Sequence, residues 1–189
     1  MPGARRGTEP RLSAWVERFL PLAPRGAGRV LDLACGLGRH SFLASILGFE
    51  VLACDREPDF AIRALGNPGI EFRRLDLEAG AWPFGEERFA AIIMTNYLFR
   101  PLFAEFPRAL APGGLLICET FTRPESLAAG RPRNPAHWLG PCELPGLVRP
   151  LSVIAYEDGL SRRGKFVQRI CAGRAASPEA EQRFALGAD

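Results

Sequence analysis

Between Val30 and His40 the chain reads VLDLACGLGRH, with Asp32 four residues before Gly36 and six before Gly38. Glycines between a strand and a helix let backbone approach a ligand closely, and the helix start offers N–H groups that no intrahelical carbonyl takes. An acid at Asp32 is awkward beside a pyrophosphate and welcome beside a ligand ammonium group. The run is not a dinucleotide fingerprint, because GxGxxG requires glycine at position 41, where Ser41 stands. Asp55 follows Gly36 by 19 residues, and a carboxylate there can accept hydrogen bonds from both ribose hydroxyls. NAD enzymes use the same position, so Asp55 points to a nucleoside without choosing which. Asp76-Leu77-Glu78 adds two acids around an apolar residue, and Thr95-Asn96-Tyr97-Leu98 adds an amide and a phenol. His40 opens the helix beside the glycine turn, where it serves either as a base, its ordinary pKa of about 6.5 suiting proton transfer, or as a paired structural histidine. His137 and Trp138 either line a pocket or pin a loop.

These residues must be positioned by a regular frame. Leu12, Trp15, Val16, Phe19 and Leu20 predict a short amphipathic helix stopped near Pro21. Strands are expected at Arg29–Ala34, Phe49–Asp55, Ile70–Leu77, Phe89–Asn96 and Leu115–Thr120. Between the first two, Phe42, Leu43, Ile46 and Leu47 mark one helix face, with Gly48 as its C-cap. Pro58 opens a helix running to about Leu65, ended by Asn67-Pro68-Gly69. Leu102, Phe103, Phe106 and Leu110 suggest another, with Pro107 kinking it or opening a second piece. Ala111-Pro112-Gly113-Gly114 reads as a sharp stop before the fifth strand. Residues 122–146 hold five prolines and three glycines, hence a long loop, with a helical turn near Ala136–Leu139. Leu151–Glu157 and Lys165–Ala172 predict a hairpin whose connection opens at Asp158-Gly159. Alternation of strands and helices implies an α/β, doubly wound, Rossmann-like, mainly parallel sheet of about seven strands, closed by a C-terminal antiparallel hairpin. The expected organisation is a flexible Pro/Gly/Arg-rich start (1–10), a single domain (11–172) and a polar tail (173–189).

Composition narrows the function classes. The 189 residues, 47% hydrophobic and 24% charged, suit one sizeable core and not two comfortable domains. No apolar run reaches the roughly 18 residues of a membrane helix, and MPGARRGTEPRL lacks an apolar signal core, so a cytoplasmic protein without a membrane partner is expected. Lys165 is the sole lysine among 24 basic residues, but the arginines are scattered and 21 acids nearly balance them. That pattern argues against specific nucleic-acid binding. The five cysteines form no CxxC pair and the two histidines lie far apart, so no metal site is expected.

Asp32-x-x-x-Gly36-x-Gly38, taken with the NYL segment after strand four and the APGG–LLICETF run, resembles class I S-adenosylmethionine-dependent methyltransferases, and within them the small tellurite-resistance-type group. The resemblance extends over nearly the whole chain. It implies S-adenosyl-L-methionine as cofactor, held by Asp32, Ala34, Cys35, Gly36, Gly38, Asp55, Arg56, Asp76, Leu77 and Asn96. Asp76 and the next backbone N–H would recognise adenine, with Leu77 covering the ring face. His40, Asn96 and Tyr97 are the catalytic candidates, and Thr120, Arg131 and His137 lie on the acceptor side. The Asn/Asp-Pro-Pro-aromatic signature of base-amine methylation is absent, which favours a small-molecule methyl acceptor, handled by a monomer or homodimer. Two rivals are a non-catalytic cofactor-binding module and an NAD(P)-binding oxidoreductase; Asp32, Ser41 and the terminal hairpin count against the second.

Overall fold

The computed structural model describes residues 11–57, 66–122, 134–162 and 164–177. The expected helix from Pro58, the terminal segment 1–10 and Arg131 lie outside the described residues.

A seven-stranded sheet in the order β3-β2-β1-β4-β5-β7-β6 organises the molecule. The strands are β1 (Arg29–Leu33), β2 (Val51–Asp55), β3 (Ile70–Arg74), β4 (Phe89–Thr95), β5 (Leu110–Phe121), β6 (Ser152–Leu160) and β7 (Phe166–Gly173). Pairs from β3 through β5 are parallel, and β7 runs antiparallel to both β5 and β6. Strand order reverses between β1 and β4, and a ligand crevice is expected beyond the carboxyl ends of those strands.

The buried strands are apolar on both faces, as a covered parallel sheet requires. All seven residues of β4 are buried. Phe89, Ile92 and Met94 join the core on one face, and Ala91 and Ile93 the core on the other. Helix α1 (Ala14–Phe19) is shorter than the apolar spacing predicts. Ser13 caps it by accepting from the Trp15 N–H, and Pro21 sits inside a 3-10 turn, Leu20–Leu22, that continues it.

Helix α2 (Arg39–Ile46) bears out half of the expected face, since Leu43 and Leu47 pack against the core, and corrects the other half. It buries His40, Ser41 and Ala44, while Phe42 and Ile46 are exposed. Polar residues point inward because each finds a buried partner there, which outweighs the apolar spacing. Gly48, at φ +83, does end the helix, its N–H donating to the Ser45 carbonyl.

Past β4 the chain forms a 3-10 turn (Arg100–Ala104) and then a four-residue helix, α3 (Phe106–Ala109), with Pro107 in its first turn. Ala111-Pro112-Gly113-Gly114 is not a stop but part of β5. The register slips there: Phe89 faces Leu110, and Ala91 already faces Leu115. A Cβ on Gly114 would lie 2.8 Å from the Ala111 carbonyl oxygen and 2.9 Å from that of Phe89, so only glycine fits this irregularity. The long loop contains the expected turn, as a 3-10 turn at Pro135–His137, and an unpredicted short helix, α4 (Leu144–Leu147). Asp158 and Gly159 lie within β6, so the hairpin turns later, around Ser161–Gly164. The last strand runs through Gly173, and Arg174 exchanges backbone hydrogen bonds with Gly113 and Gly114. No helix among the described residues is long and apolar enough to cross a membrane.

Candidate functional site

A cavity of about 660 Å³ opens beyond the carboxyl ends of β1 to β4. Its floor is the turn after β1. Cys35 donates its N–H to the Cys54 carbonyl (2.9 Å), and Gly38 donates to Cys35 (2.9 Å). Ala34, Gly36 and Gly38 take left-handed backbone, at φ +51, +54 and +68. A Cβ built on Gly36 meets no atom within 4 Å, so this glycine's bare face borders open space. Asp55, at the end of β2, fixes the turn from the side. Its Oδ2 accepts from the Gly36 N–H at 2.8 Å and its Oδ1 from the Glu57 N–H at 3.0 Å. Arg56 and Glu57 continue the rim.

The next wall follows β3. Leu75 donates its N–H to the Asp55 carbonyl (2.9 Å), and Asp76 closes a turn by accepting from the Glu78 N–H (3.0 Å). Leu77 is buried between these two acids. From the opposite wall, the Tyr97 hydroxyl donates to Glu78 at 3.2 Å. Burial, then the Glu78 carboxylate, hold the Tyr97 phenol well above its ordinary pKa. Asn96 stands at φ +56, where a short amide side chain is tolerated better than most, and its N–H donates to the Glu119 carbonyl at 2.8 Å.

Asp32 and His40 lie behind this wall and do not line the cavity. Asp32 is buried, with the Ser41 hydroxyl donating to its Oδ2 at 2.6 Å. Burial pushes its carboxyl up to about 6, against the pull of Ser41 and Arg39. His40 accepts the Ser13 N–H at Nε2 (3.1 Å), and its Nδ1 lies 3.3 Å from the Thr95 hydroxyl. That ring is therefore neutral, with its hydrogen on Nδ1. Burial and then the neighbouring Arg39 lower it to about 3. A histidine so placed ties α1 to the end of β4 and is closed off as a base for anything in the cavity. Burial also raises the Cys35 thiol, and pushes Cys54 up to about 12, which leaves neither as a nucleophile at neutral pH.

The β4–β5 side of the cavity is lined by Thr95, Asn96, Leu98, Phe121 and His137. His137 arrives from the long loop, and its Nδ1 lies 3.3 Å from the Leu98 carbonyl oxygen. Thr120 is buried beneath this wall, its hydroxyl without a partner among the described residues, and it does not line the cavity. Among the expected site residues, the cavity thus gathers Ala34, Cys35, Gly36, Asp55, Arg56, Asp76, Leu77, Asn96, Tyr97 and His137. Sequence reasoning missed Arg39, Glu57, Leu75 and Phe121. Arg39, whose guanidinium donates to the Thr95 hydroxyl at 3.2 Å, was readable as the cation opening the helix after Gly38. Leu75 and Phe121 carry no chemical signal that separates them from core residues. Among the described residues, no three His, Cys, Asp or Glu side chains gather to hold a metal ion.

Residues 30–114 match the family model of a methyltransferase domain. No curated protein matches the sequence. Among solved structures, TehB from Haemophilus influenzae is 17% identical, with a TM-score of 0.67 over 85% of this chain and 61% of its own. The cyclase SpnF is also 17% identical, with a TM-score of 0.66 over 86% of this chain and 79% of its own. The 1,6-didemethyltoxoflavin-N1-methyltransferase of Burkholderia thailandensis, solved with bound 1,6-didemethyltoxoflavin and S-adenosylhomocysteine, is 16% identical. Its TM-score is 0.61 over 86% of this chain and 79% of its own.

Proposed function

We propose that this chain, a methyltransferase domain on the class I S-adenosylmethionine-dependent fold, transfers the methyl group of S-adenosylmethionine to a small-molecule acceptor. The observation that carries the reading is the Asp55–Gly36 hydrogen bond at the edge of the cavity (2.8 Å). It puts a carboxylate at the nucleoside end and a bare glycine face beside open space, as a ligand with ribose and an amino-acid arm requires. Asp55 would hold the ribose hydroxyls, Asp76 and Leu77 the adenine, and the backbone of Cys35 and Gly36 the methionine arm.

When bound, S-adenosylmethionine supplies an electrophilic methyl group on a sulfonium centre. What the chain must add is position and dryness. Leu77, Leu98 and Phe121 give the cavity apolar walls, and Asn96, held in left-handed backbone, adds a polar residue to its lining. Asp32 stands outside the cavity lining and acts at one remove: through Ser41 it braces the helix start against β1.

The acceptor side is that of Phe121 and His137, which line the cavity from the end of β5 and from the turn at Pro135–His137. Dispersed arginines and the absent base-methylation signature support a small acceptor over a nucleic acid, and the protein acts in the cytoplasm as a monomer or homodimer. Calorimetry provides the test. S-adenosylmethionine and S-adenosylhomocysteine should bind and NAD should not; tight NAD binding, or no binding of either sulfur nucleoside, would sink the reading. Turnover then separates an enzyme from a binding module.

A further inference from the structure

Resting on that reading, we propose that His137 is the base that takes the acceptor's proton, and that the acceptor is a small molecule bearing a hydroxyl, thiol or amine. The orientation of the ring carries the assignment. Nδ1 faces the Leu98 carbonyl oxygen at 3.3 Å. A carbonyl oxygen only accepts, so Nδ1 carries the hydrogen, and in the neutral ring Nε2 then holds the lone pair. Nε2 has no hydrogen-bond partner among the described residues, and His137 lines the cavity beside Leu98 and Phe121.

The chain holds this ring in place from both sides. The His137 N–H donates to the Asn134 carbonyl at 3.1 Å, closing the turn. Arg100 donates to the Ala136 carbonyl (2.8 Å) and to the Trp138 carbonyl (2.9 Å), the two that flank His137. The same guanidinium grips both oxygens of Glu143, at 2.6 and 2.9 Å. Trp138 and Leu139 are buried behind it. A merely covering loop has no need of such an anchor around one half-buried imidazole.

The other histidine and the phenol of the cavity are closed off. His40 is buried behind the wall with both nitrogens engaged, and Tyr97 keeps its proton for Glu78. In the transfer step the acceptor heteroatom bonds to the methyl carbon as the carbon–sulfur bond breaks, its electron pair going to sulfur. The heteroatom's proton passes to Nε2, and the imidazolium so formed still donates from Nδ1 to Leu98.

The chain has two histidines, so nitrogen-15 ring spectra can be assigned with one variant, His137→Gln. The expected His137 signal is that of a ring protonated at Nδ1 and bare at Nε2. S-adenosylhomocysteine should bind wild type and variant alike by calorimetry. Methyl transfer from S-adenosylmethionine to small thiols, phenols, alcohols and amines, read as S-adenosylhomocysteine release, should fall about 100-fold or more in the variant for the best acceptor. A hydrogen on Nε2, variant turnover within about threefold of wild type, or intact cofactor binding with no protic acceptor methylated would each overturn the proposal. Failure of wild type to bind S-adenosylhomocysteine would instead strike the methyl-transfer reading, and this proposal with it.

Discussion

Asp32 and His40 titrate in opposite senses, and Asp32→Asn should unmask the imbalance. The Asp32 carboxyl stands at about 6 in the folded chain against 3.8 when unperturbed. A group raised by folding contributes stability below its unfolded pKa and loses it as pH rises through the folded value. His40 stands at about 3 against 6.5. A group lowered by folding contributes above its unfolded pKa and loses that contribution as pH falls toward the folded value. Integrated from pH 7 down to pH 4, Asp32 gains about 2 kcal/mol and His40 loses about 3 kcal/mol, so the pair leaves a net loss of only about 1 kcal/mol. The asparagine side chain keeps the shape and can still accept from the Ser41 hydroxyl, but it takes no proton. The variant should therefore lose about 2 kcal/mol more than wild type over that interval. Urea unfolding followed by tryptophan fluorescence at pH 7, 5.5 and 4 measures it. Carboxylates held low by arginines, such as Glu71 and Glu143, are common to both proteins and cancel in the difference. Parallel stability curves, equal within about 0.5 kcal/mol, would refute the reasoning and show that burial does not raise the Asp32 carboxyl, which would then stay ionised in the folded chain well below pH 6.

Further outcomes are expected at the cavity. Asp55→Ala frees the Gly36 and Glu57 N–H groups as well as any ribose, and should weaken S-adenosylmethionine binding by about 1.5–3 kcal/mol in calorimetry, the range for hydrogen bonds to a charged group. Gly36→Val combines left-handed backbone strain of about 1–2 kcal/mol with a side chain in the open space of the cavity. It should bind cofactor more weakly than Asp55→Ala, with circular dichroism unchanged. Arg100→Met removes an ion pair worth under about 1 kcal/mol at this exposure, so global stability should change little. Limited proteolysis within 134–143 should nevertheless accelerate and acceptor KM rise, with cofactor affinity kept.

What the sequence disclosed was whatever depends on neighbours along the chain. The apolar run Phe89–Thr95 reads as a doubly covered strand without knowledge of its partners. Gly36, Asp55 and Asp76 fall at strand ends, where the alternating order already puts them beside one another. What it withheld depends on partners far away. His40 reads equally as a base or as a paired structural histidine at a helix start, and only its bonds to Ser13 and Thr95, 27 and 55 residues off, decide for the second. The exposed Phe42 and Ile46 follow from the same cause, since α2 turns its polar side inward to meet Asp32 and Thr95. Ala111-Pro112-Gly113-Gly114 carries every local mark of a turn, yet Arg174 pairs with its glycines and makes it strand. His137 was visible only as one polar residue among several, because its tautomer is set by the carbonyl of Leu98.

The position of β7 between β5 and β6 has a consequence for synthesis. A ribosome delivers β6 before β7, its neighbour in the sheet, exists, and β5 emerges before the strand that will cover its far edge. Both wait for residues 166–173, which must slide in between and run against them. The parallel half of the sheet, with its glycine turn and both acids, can assemble as it leaves the tunnel. The other half cannot close in order of arrival, and throughout that interval the long edge of β5 is the surface most open to wrong partners. Docking of β7 is thus the event that covers the exposed edge of β5.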